Sequence, residues 1–369
     1  MTHRYVGILV SSFVYRGIIR GNTDYENIQF YEDIGKKLNI VPCYFRLTDI
    51  KPGVSEVKAL IKQNSEGYRL SVIPKPSVIH NRIFTNTTRE KKIIKELQNE
   101  GVFIFNENNR YKKLTIHEIL LKNNELIPYV PETVRAGKAN LIYMMKKYNE
   151  LILKPNSGSL GVGISKLTRI NSRNWELSYY QKKSLNKERF STNLPSKLKD
   201  LLSSTDVLIQ QRIPLALSKG VPFDMRVSVQ KNETGEWQVS GIVGKVAKKG
   251  RFITNVAQGG TCFPIGELLK DLPHLNHEKV LTDINLLALN IVINIEQEIP
   301  NLADLGLDIG ITHDGKPMII ECNGRDLRVT FRNAGMLEEW EETYATPMKY
   351  ANYLYETLLR EKGAVHEGN

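Results

Sequence analysis

Short apolar runs and amphipathic stretches alternate over the first hundred residues. Continuous apolar runs are typical of buried strands, whereas apolar residues spaced three or four positions apart are typical of helices. The predicted strands are Tyr5–Phe13, Ile40–Phe45, Leu70–His80 and Val102–Asn106, and the predicted helices are Asp24–Leu38, with Asp24 as its N-cap, and Thr88–Glu100. This alternation predicts an open α/β sheet, with the polar cluster Ile79–Ile83 at a strand end, where such sheets place ligands.

After Asn106 the pattern changes to hairpins and longer helices. The predicted elements are a helix over Lys112–Leu121, a strand over Leu151–Lys154 ended by Pro155, a hairpin of Phe223–Gln230 with Gln238–Val246, a core helix carrying Val280, Ile284, Leu287, Ile291 and Ile295, a second hairpin of Leu305–Ile311 with Pro317–Cys322, and a helix over Glu338–Arg360 broken at Pro347. The chain therefore joins two regions of different architecture.

Composition narrows the class of protein. A chain of 369 residues is longer than one hydrophobic core usually supports, so we expect at least two domains. No apolar run approaches the roughly 20 residues that span a bilayer, and the first apolar stretch reads as a strand instead of a signal peptide. Three scattered cysteines favour neither disulfides nor a cysteine metal site. We therefore expect a cytoplasmic protein with no membrane partner.

The positive charge admits several partners. The chain has 51 Lys and Arg against 40 Asp and Glu, a formal net charge of +11, which suits nucleic acid, an anionic membrane or an acidic small molecule. The densest basic stretch is Arg173–Asp200, where Trp175, Tyr179 and Tyr180 lie among the basic residues. We interpret it as a solvated helical insertion and expect no specific nucleic-acid partner, because no nucleic-acid-binding motif accompanies it.

Two acidic residues of the second hairpin suggest a metal site. If Asp314-Gly315 forms a two-residue turn, Asp308 lies opposite Glu321, and Asn323 lies on the same face. Two carboxylates about 5 Å apart repel each other unless a cation lies between them. Oxygen ligands of this kind suit Mg²⁺ or Mn²⁺ held together with substrate phosphates. The alternative is a solvent-facing pair, which the apolar neighbours disfavour.

A glycine-rich segment suggests phosphate binding. A strand ends at Lys154, and Gly158, Gly161 and Gly163 follow within nine residues. Glycines allow backbone N–H groups to approach phosphate oxygens closely. The glycine spacing differs from that of a P-loop and of a dinucleotide fingerprint. An ordinary tight turn is the alternative.

The first hairpin places charged side chains on one face. Asp224 and Arg226 share a face with Lys245 for any even-length loop. Arg226 is then placed to bind a phosphate or a carboxylate, and Asp224 is placed to pair with Lys245. The alternative for Arg226 is an internal ion pair. Asn255 follows in a loop that ends with Gly259 and Gly260, a second candidate anion contact.

Taken together, these residues resemble the ATP-grasp proteins, and within them the bacterial endospore coat-associated YheC/YheD family. The similarity covers residues 5 to 355, and the order of the motifs carries it. The motifs are SVIHNR (77–82), FDMRVSVQKNETGEWQVSGIVGKV (223–246), ITNVAQGG (253–260), LGLDIGI (305–311) and IIECN (319–323).

The resemblance implies a fold and a domain organisation. It implies an α/β ATP-grasp fold, in which two α+β lobes enclose ATP, preceded by a Rossmann-like pre-ATP-grasp domain. The implied bounds are 1–107 for the first domain, 108–362 for the ATP-grasp domain (lobe A about 108–210, lobe B about 211–335, C-terminal helices 336–362) and 363–369 for a tail.

The resemblance also implies the role of each candidate residue. The implied catalytic residues are Arg226 and Lys154; the ATP-binding residues are Lys113, Lys154, Gly158, Ser159, Gly161, Gly163, Gln210, Gln211, Arg212 and Ile213; the Mg²⁺ ligands are Asp308, Glu321 and Asn323; and the substrate-side residues are Asn81, Arg82, Lys245, Asn255, Gly259, Gly260 and Arg325. Three positions depart from the family pattern: Lys112 replaces an Asp, Lys245 replaces an Arg, and Gly324-Arg325-Asp326 replaces Ser-Lys-Pro.

The implied activity is an ATP- and Mg²⁺-dependent carboxylate–amine ligase that forms an amide through an acyl phosphate. Its partners would be small-molecule or peptide carboxylates and amines, together with spore coat proteins, in the cytoplasm of the mother cell or at the spore coat. Two alternatives are a nucleotide-binding spore coat protein without catalysis and a small-molecule kinase of the same fold.

Overall fold

The computed structural model describes residues 4–63, 67–158, 161–181 and 184–367, with side chains up to Leu359. Within these residues the chain forms three six-stranded sheets with helices packed on them. The architecture is mixed α/β, as the sequence predicts.

The first sheet contains the N-terminal hundred residues. Its strands are β1 (Tyr5–Leu9), β2 (Val41–Phe45), β3 (Glu56–Lys62), β4 (Tyr68–Pro74), β5 (Val78–Asn81) and β6 (Phe103–Phe105), and its helices are α1 (Ser12–Arg20), α2 (Ile28–Leu38) and α3 (Thr88–Asn99). The strand order is β4-β3-β2-β1-β5-β6. Strands β2, β1, β5 and β6 are parallel, and β3 and β4 form an antiparallel extension.

Several predicted boundaries in this region are wrong. The first strand ends at Leu9, because Ser11 caps a helix that begins at Ser12. Asn27, not Asp24, caps α2. The predicted strand Leu70–His80 is two strands on different sides of β1. Pro74 ends the first of them, Pro76 lies in the short segment that separates them, and β3 was not predicted.

The second sheet is antiparallel in all its pairings. Its strands are β7 (Thr133–Arg135), β8 (Glu150–Pro155), β9 (Ser165–Arg169), β10 (Trp175–Gln181), β11 (Ser184–Phe190) and β12 (Val207–Gln211), in the order β11-β10-β9-β8-β12-β7, and the helices of this region are α4 (Lys113–Leu120), α5 (Lys138–Lys147) and α6 (Ser196–Ser203). The basic stretch Arg173–Asp200, predicted as a helical insertion, is mainly the pair β10–β11. Trp175 and Leu177 are buried on β10, so this stretch belongs to the sheet.

The third sheet carries both predicted hairpins. Its strands are β13 (Leu217–Ser218), β14 (Val221–Lys231), β15 (Trp237–Val246), β16 (Thr261–Pro264), β17 (Asp304–Ile311) and β18 (Pro317–Asn323), and its helices are α7 (Ile265–Leu269), α8 (His277–Glu298), α9 (Val329–Asn333) and α10 (Leu337–Glu367). The order is β16-β15-β14-β17-β18, and β13 pairs with β14. The predicted stripe of α8 is buried against this sheet.

In the described part of the chain, α8 alone has the length and hydropathy of a membrane span, and its buried stripe belongs to the core.

Helix α10 continues through Pro347, so the predicted break at this proline is wrong. Tyr344, Met348 and Ala351 pack into the core of the first sheet on both sides of that proline. This packing stabilises the helix where Pro347 lacks a backbone N–H.

A buried charge network joins the first sheet to β17. Arg82, which follows β5, donates to Glu26 at 3.1 Å and to Asp304 at 3.1 Å. Arg328 donates to Asp304 at 2.5 Å, and the ring of His80 lies 3.2 Å from the same carboxylate. Burial and these cations act in opposite directions on Asp304, and the cations hold its pKa well below the usual range. The network therefore ties the start of β17 to the first sheet.

Candidate active site

A cleft separates the second sheet from the third. It encloses about 1000 Å³, its open mouth included. Its walls come from β8 and β12 on one side and from β14, β15, β17 and β18 on the other. The lining residues are Lys113, Ile152, Lys154, Pro155, Gly158, Gly161, Val162, Ile164, Gln210, Gln211, Arg212, Ile213, Leu215, Asp224, Lys245, Phe252, Ile253, Thr254, Asn255, Asp308, Ile320 and Glu321. Most of the residues predicted to bind ATP therefore meet in one space.

The two acidic residues of the β17–β18 hairpin face each other, as predicted. Asp308 pairs with Glu321 in the ladder, and Asn323 lies two residues further on, opposite Gly306. The predicted two-residue turn is wrong. The ladder ends at Ile311 and Pro317, which leaves a longer loop in which Gly315 has a φ of 83°.

A register shift restores the predicted pairing. The ladder is irregular between Asp308 and Ile309, where Ile320 of β18 is left without a partner. This bulge compensates for the longer loop, so Asp308 still meets Glu321.

The oxygen atoms of this pair fit a divalent cation. No group of three or more His, Cys, Asp or Glu side chains in the described residues is arranged to hold a metal ion. A metal would therefore rest on two carboxylates, the Asn323 amide and ligand phosphates, which is how Mg²⁺ is usually bound. The buried Nδ2 of Asn323 has no hydrogen-bond partner in the described structure, so this N–H group is free to donate to a ligand oxygen while the amide oxygen faces a cation.

Five charged side chains of alternating sign lie in a row beside the cleft. Lys245 Nζ lies 3.1 Å from Asp224 and 2.8 Å from Asp308. Arg226 donates from Nε to Asp308 at 2.9 Å and from Nη1 to Asp326 at 2.8 Å. The predicted pairing of Asp224 with Lys245 is confirmed. Arg226 forms the internal ion pairs that were the alternative prediction.

This row controls the protonation of its carboxyl groups. Burial opposes ionisation of Asp308, but Arg226 and Lys245 outweigh it and hold its pKa well below the usual range. Burial raises the pKa of Asp224, with Lys245 opposing the rise and Asp308 adding to it. Asp308 is therefore an anion at neutral pH, as a metal ligand must be.

Two lysines reach the carboxylate pair from outside the third sheet. Lys113, the first residue of α4, lies 3.0 Å from Glu321 and donates to the backbone oxygen of Gly158 at 2.7 Å. Lys154 is buried at the end of β8, where its Nζ lies 3.4 Å from the oxygen of Ile320. Both cations are therefore placed to neutralise phosphate charge.

The glycine-rich segment closes one side of the cleft. Gly161 has a φ of 68° and Gly163 a φ of 77°, values that favour glycine. A Cβ on Gly161 would lie 3.1 Å from Ile253, so the segment packs tightly on the loop between β15 and β16. Gly158 lines the cleft, and Ser159 lies outside the described residues.

The predicted adenine hinge also lines the cleft. Gln210 and Gln211 end β12, and Arg212 and Ile213 follow. Gln210 donates to Thr133 at 2.8 Å, and Arg212 pairs with Glu150. These contacts fix the side chains of the hinge.

The loop between β15 and β16 contains three predicted substrate-side residues. Asn255 lines the cleft, and its side chain accepts from the N–H of Ala257 at 2.9 Å. Gly259 has a φ of 91°. A Cβ on Gly260 would lie 2.4 Å from the oxygen of Thr254, so only glycine fits there. These glycines give the loop its shape.

Three other predicted substrate-side residues are not among the described residues that line the cleft. Asn81 is buried and donates to the oxygen of Asn106 at 2.9 Å, and Arg82 belongs to the buried charge network. Arg325 stacks on Phe84, with its guanidinium 4.1 Å from the ring centre. The structure places them at the junction of the first and third sheets.

An aromatic contact across the cleft was not predicted. Phe252, from the loop between β15 and β16, stacks on Tyr180 of β10 with a ring-centre distance of 5.4 Å. The Arg251 guanidinium lies 4.7 Å from the Tyr180 ring centre, and Lys166 Nζ lies 5.7 Å from that of Phe252. We call these four residues the clasp. In the sequence Tyr180 is one of the aromatic residues in the basic stretch Arg173–Asp200, and no local pattern indicates this contact.

The position of Lys154 predicts that nucleotide binding takes up protons. Burial lowers the pKa of Lys154 to about 8, with Lys113 adding to this effect and Glu321 opposing it. Bound phosphate would favour the charged amine and raise this pKa. At pH 8 we therefore expect uptake of about half a proton per nucleotide, and weaker binding as the pH rises further.

Calorimetric titration of nucleotide in two buffers of different ionisation enthalpy measures this uptake. Lys154→Arg is the control, because arginine stays charged throughout this range. Equal uptake in the wild type and in this variant would show that another group takes the proton.

We expect the clasp to slow the release of nucleotide from the cleft, because it joins the two sheets that form the walls. An aromatic pair contributes about 0.5–1.5 kcal/mol, so Phe252→Ala is expected to speed nucleotide release about two- to tenfold. Stopped-flow displacement of a fluorescent ADP analogue measures this rate. Phe13→Ala, at an exposed aromatic of α1, serves as the matched control. Equal release rates in all three proteins would exclude a closing role for the clasp.

Comparison with known proteins agrees with this architecture. A sequence model described as YheC/D-like ATP-grasp matches residues 101–354. The endospore coat-associated protein YheD of Bacillus subtilis (strain 168) is 25% identical over 307 residues, 81% of this chain and 67% of its own. The endospore coat-associated protein YheC of the same organism is 25% identical over 318 residues, 83% and 86% of the two chains.

A solved structure shows the same fold. The VanG D-Ala:D-Ser ligase from Enterococcus faecalis superposes with a TM-score of 0.50 at 10% identity, over 95% of this chain and all of that chain. The family model covers more than half of the sequence, including the cleft and both hairpins. On this evidence the chain belongs to the YheC/D-like ATP-grasp family.

Proposed function

We propose that this protein is an ATP- and Mg²⁺-dependent carboxylate–amine ligase that forms an amide through an acyl phosphate. One observation carries the proposal: Asp308 and Glu321 face each other in a cleft that Lys113 and Lys154 also line. The names of the relatives support an association with the endospore coat. We place the activity in the mother-cell cytoplasm, with coat proteins as candidate partners.

The residue roles follow from position. Asp308, Glu321 and Asn323 would hold Mg²⁺, which neutralises phosphate charge when bound. Lys113, Lys154 and the glycine-rich segment would bind the phosphates, and residues 210–213 would bind the adenine. We assign 1–107 to a Rossmann-like domain, 108–362 to the ATP-grasp domain and 363–369 to a tail.

The reaction has two steps. A substrate carboxylate oxygen attacks the γ-phosphorus, the bond to the β-phosphate oxygen breaks, and ADP leaves. Lys154 and Arg226 stabilise the negative charge on the transferred group. An amine then attacks the carbonyl carbon of the acyl phosphate, inorganic phosphate leaves, and the amine loses a proton as the amide forms.

Product analysis tests the proposal. Amino acids and small peptides are screened for carboxylate-dependent ADP release, and the products are identified by mass spectrometry. Hydroxylamine should trap the acyl phosphate as a hydroxamate. A stable phosphorylated product that resists hydroxylamine would indicate a kinase. Failure of ATP with Mg²⁺ to raise the melting temperature would argue against nucleotide binding altogether.

A further inference from the structure

We propose that Asp326 is a positioning residue that holds Arg226 so that Asp308 remains available to a divalent cation. This inference rests on the proposed function and extends it to a residue outside the predicted metal and nucleotide sites. Asp326 follows β18 in the segment where this chain departs from the family pattern.

Both carboxylate oxygens of Asp326 accept hydrogen bonds from β14. Its side chain is fully buried, and both of its oxygens are used. Oδ1 accepts from Arg226 Nη1 at 2.8 Å, and Oδ2 accepts from the hydroxyl of Ser228, two residues along β14. Arg226 thus lies between two carboxylates, Asp308 on the cleft side and Asp326 on the buried side.

The surrounding backbone makes room for this carboxylate and holds it. A Cβ on Gly306 would lie 2.7 Å from Asp326 Oδ1, so the glycine opposite Asn323 leaves the space that the carboxylate fills. Arg82 of the first sheet donates to the backbone oxygen of Asp326 at 2.8 Å. Asp326 is therefore fixed from both sides before any ligand arrives.

The charges explain why a second carboxylate is needed. Asp308 is shared by Arg226 and Lys245, and both compete with a metal for its oxygens. A cation bound by Asp308 and Glu321 also repels the guanidinium beside it. Asp326 gives Arg226 an anionic partner that the metal does not use. Without that partner, the guanidinium would pair with Asp308 alone and weaken metal binding.

Metal binding to the Asp326→Asn protein is the test. The signal of free Mn²⁺ in electron paramagnetic resonance, titrated with ADP present, gives a dissociation constant that does not depend on turnover. We expect this constant to rise about tenfold in the variant. We also expect kcat to fall more than the KM for ATP rises, because Arg226 acts on the transferred group.

Asp304→Asn is the matched control. It also neutralises a buried carboxylate beside β17, but Asp304 contacts Arg82 and Arg328 instead of Arg226. We expect it to lower stability and leave Mn²⁺ affinity close to the wild-type value. Ser228→Ala removes only the hydroxyl that holds Asp326, and we expect a two- to threefold rise in the Mn²⁺ constant. If Asp326→Asn does not fold, the Mn²⁺ dissociation constant of Ser228→Ala tests the inference instead.

Unchanged Mn²⁺ affinity in the folded variants, with a lower melting temperature alone, would overturn the inference and leave Asp326 a structural residue. An equal loss of affinity in Asp304→Asn would overturn it as well. Absence of Mn²⁺–nucleotide binding in the wild type is a different outcome, because it would contradict the proposed function itself.

Discussion

Glu321→Ala is expected to lower ATP-dependent turnover by at least about a thousandfold while the protein stays folded. Removing this carboxylate takes away one of the two anionic ligands proposed for Mg²⁺ and leaves phosphate charge unneutralised in the transition state. Glu321 is partly exposed and its partner Lys113 lines the open cleft, so the loss should cost less stability than removal of a fully buried carboxylate. ADP release and the thermal melting curve measure the two effects separately.

Glu298→Ala is the matched control for this prediction. Glu298 is an exposed glutamate at the end of α8, where it pairs with Lys122. It does not line the cleft of the described structure. We expect wild-type turnover in that variant. Substantial activity in the Glu321→Ala protein would contradict the metal assignment. Asp308→Ala would be a less clean test, because it leaves Arg226 and Lys245 without a carboxylate they share.

Asp304→Ala is expected to destabilise the protein by about 3–5 kcal/mol, since it breaks a buried ion network and leaves cations unpaired. Asp304 is fully buried and accepts from Arg82, Arg328 and Gln230. These partners come from the first sheet, the segment before α9, and β14. Its loss should therefore weaken the contact between the first and the third sheet. Urea unfolding at neutral pH measures the change in the free energy of unfolding.

An exposed ion pair provides the comparison. Lys37 and Glu341 lie 3.4 Å apart with both side chains largely in solvent. Glu341→Ala is expected to change the free energy of unfolding by less than about 1 kcal/mol. If Asp304→Ala also lowers the free energy of unfolding by less than about 1 kcal/mol, the buried network adds little to stability. Apolar packing of α10 against α2 would then hold the first sheet to the third.

Local patterns in the sequence were enough to predict the main chemistry of the cleft. Strict alternation placed Asp224 and Arg226 on one face of β14, and the structure pairs Asp224 with Lys245 as predicted. The opposition of Asp308 and Glu321 was also predicted correctly, although the turn was not. A longer loop and a bulge at Ile320 shift the register in opposite directions, so their effects cancel.

Other features depend on residues far apart in the chain. Tyr180 and Phe252 meet only because two sheets face each other, and Asn81 and Arg82 turn out to lie in the junction of the first and third sheets. Helix α10 passes Pro347 because its neighbours pack into a distant core. Neither the periodicity of apolar residues nor the spacing of motifs predicts these contacts.

The sequence by itself determined which residues alternate on each strand, which helix face is apolar and in what order the motifs follow. These properties depend on neighbours a few positions apart, whose geometry the backbone repeats impose. Only the tertiary structure decided that Arg226 lies between Asp308 and Asp326 and that Asp304 collects its partners from distant segments. Such contacts arise because a buried charge must find an opposite charge wherever the fold brings one within reach.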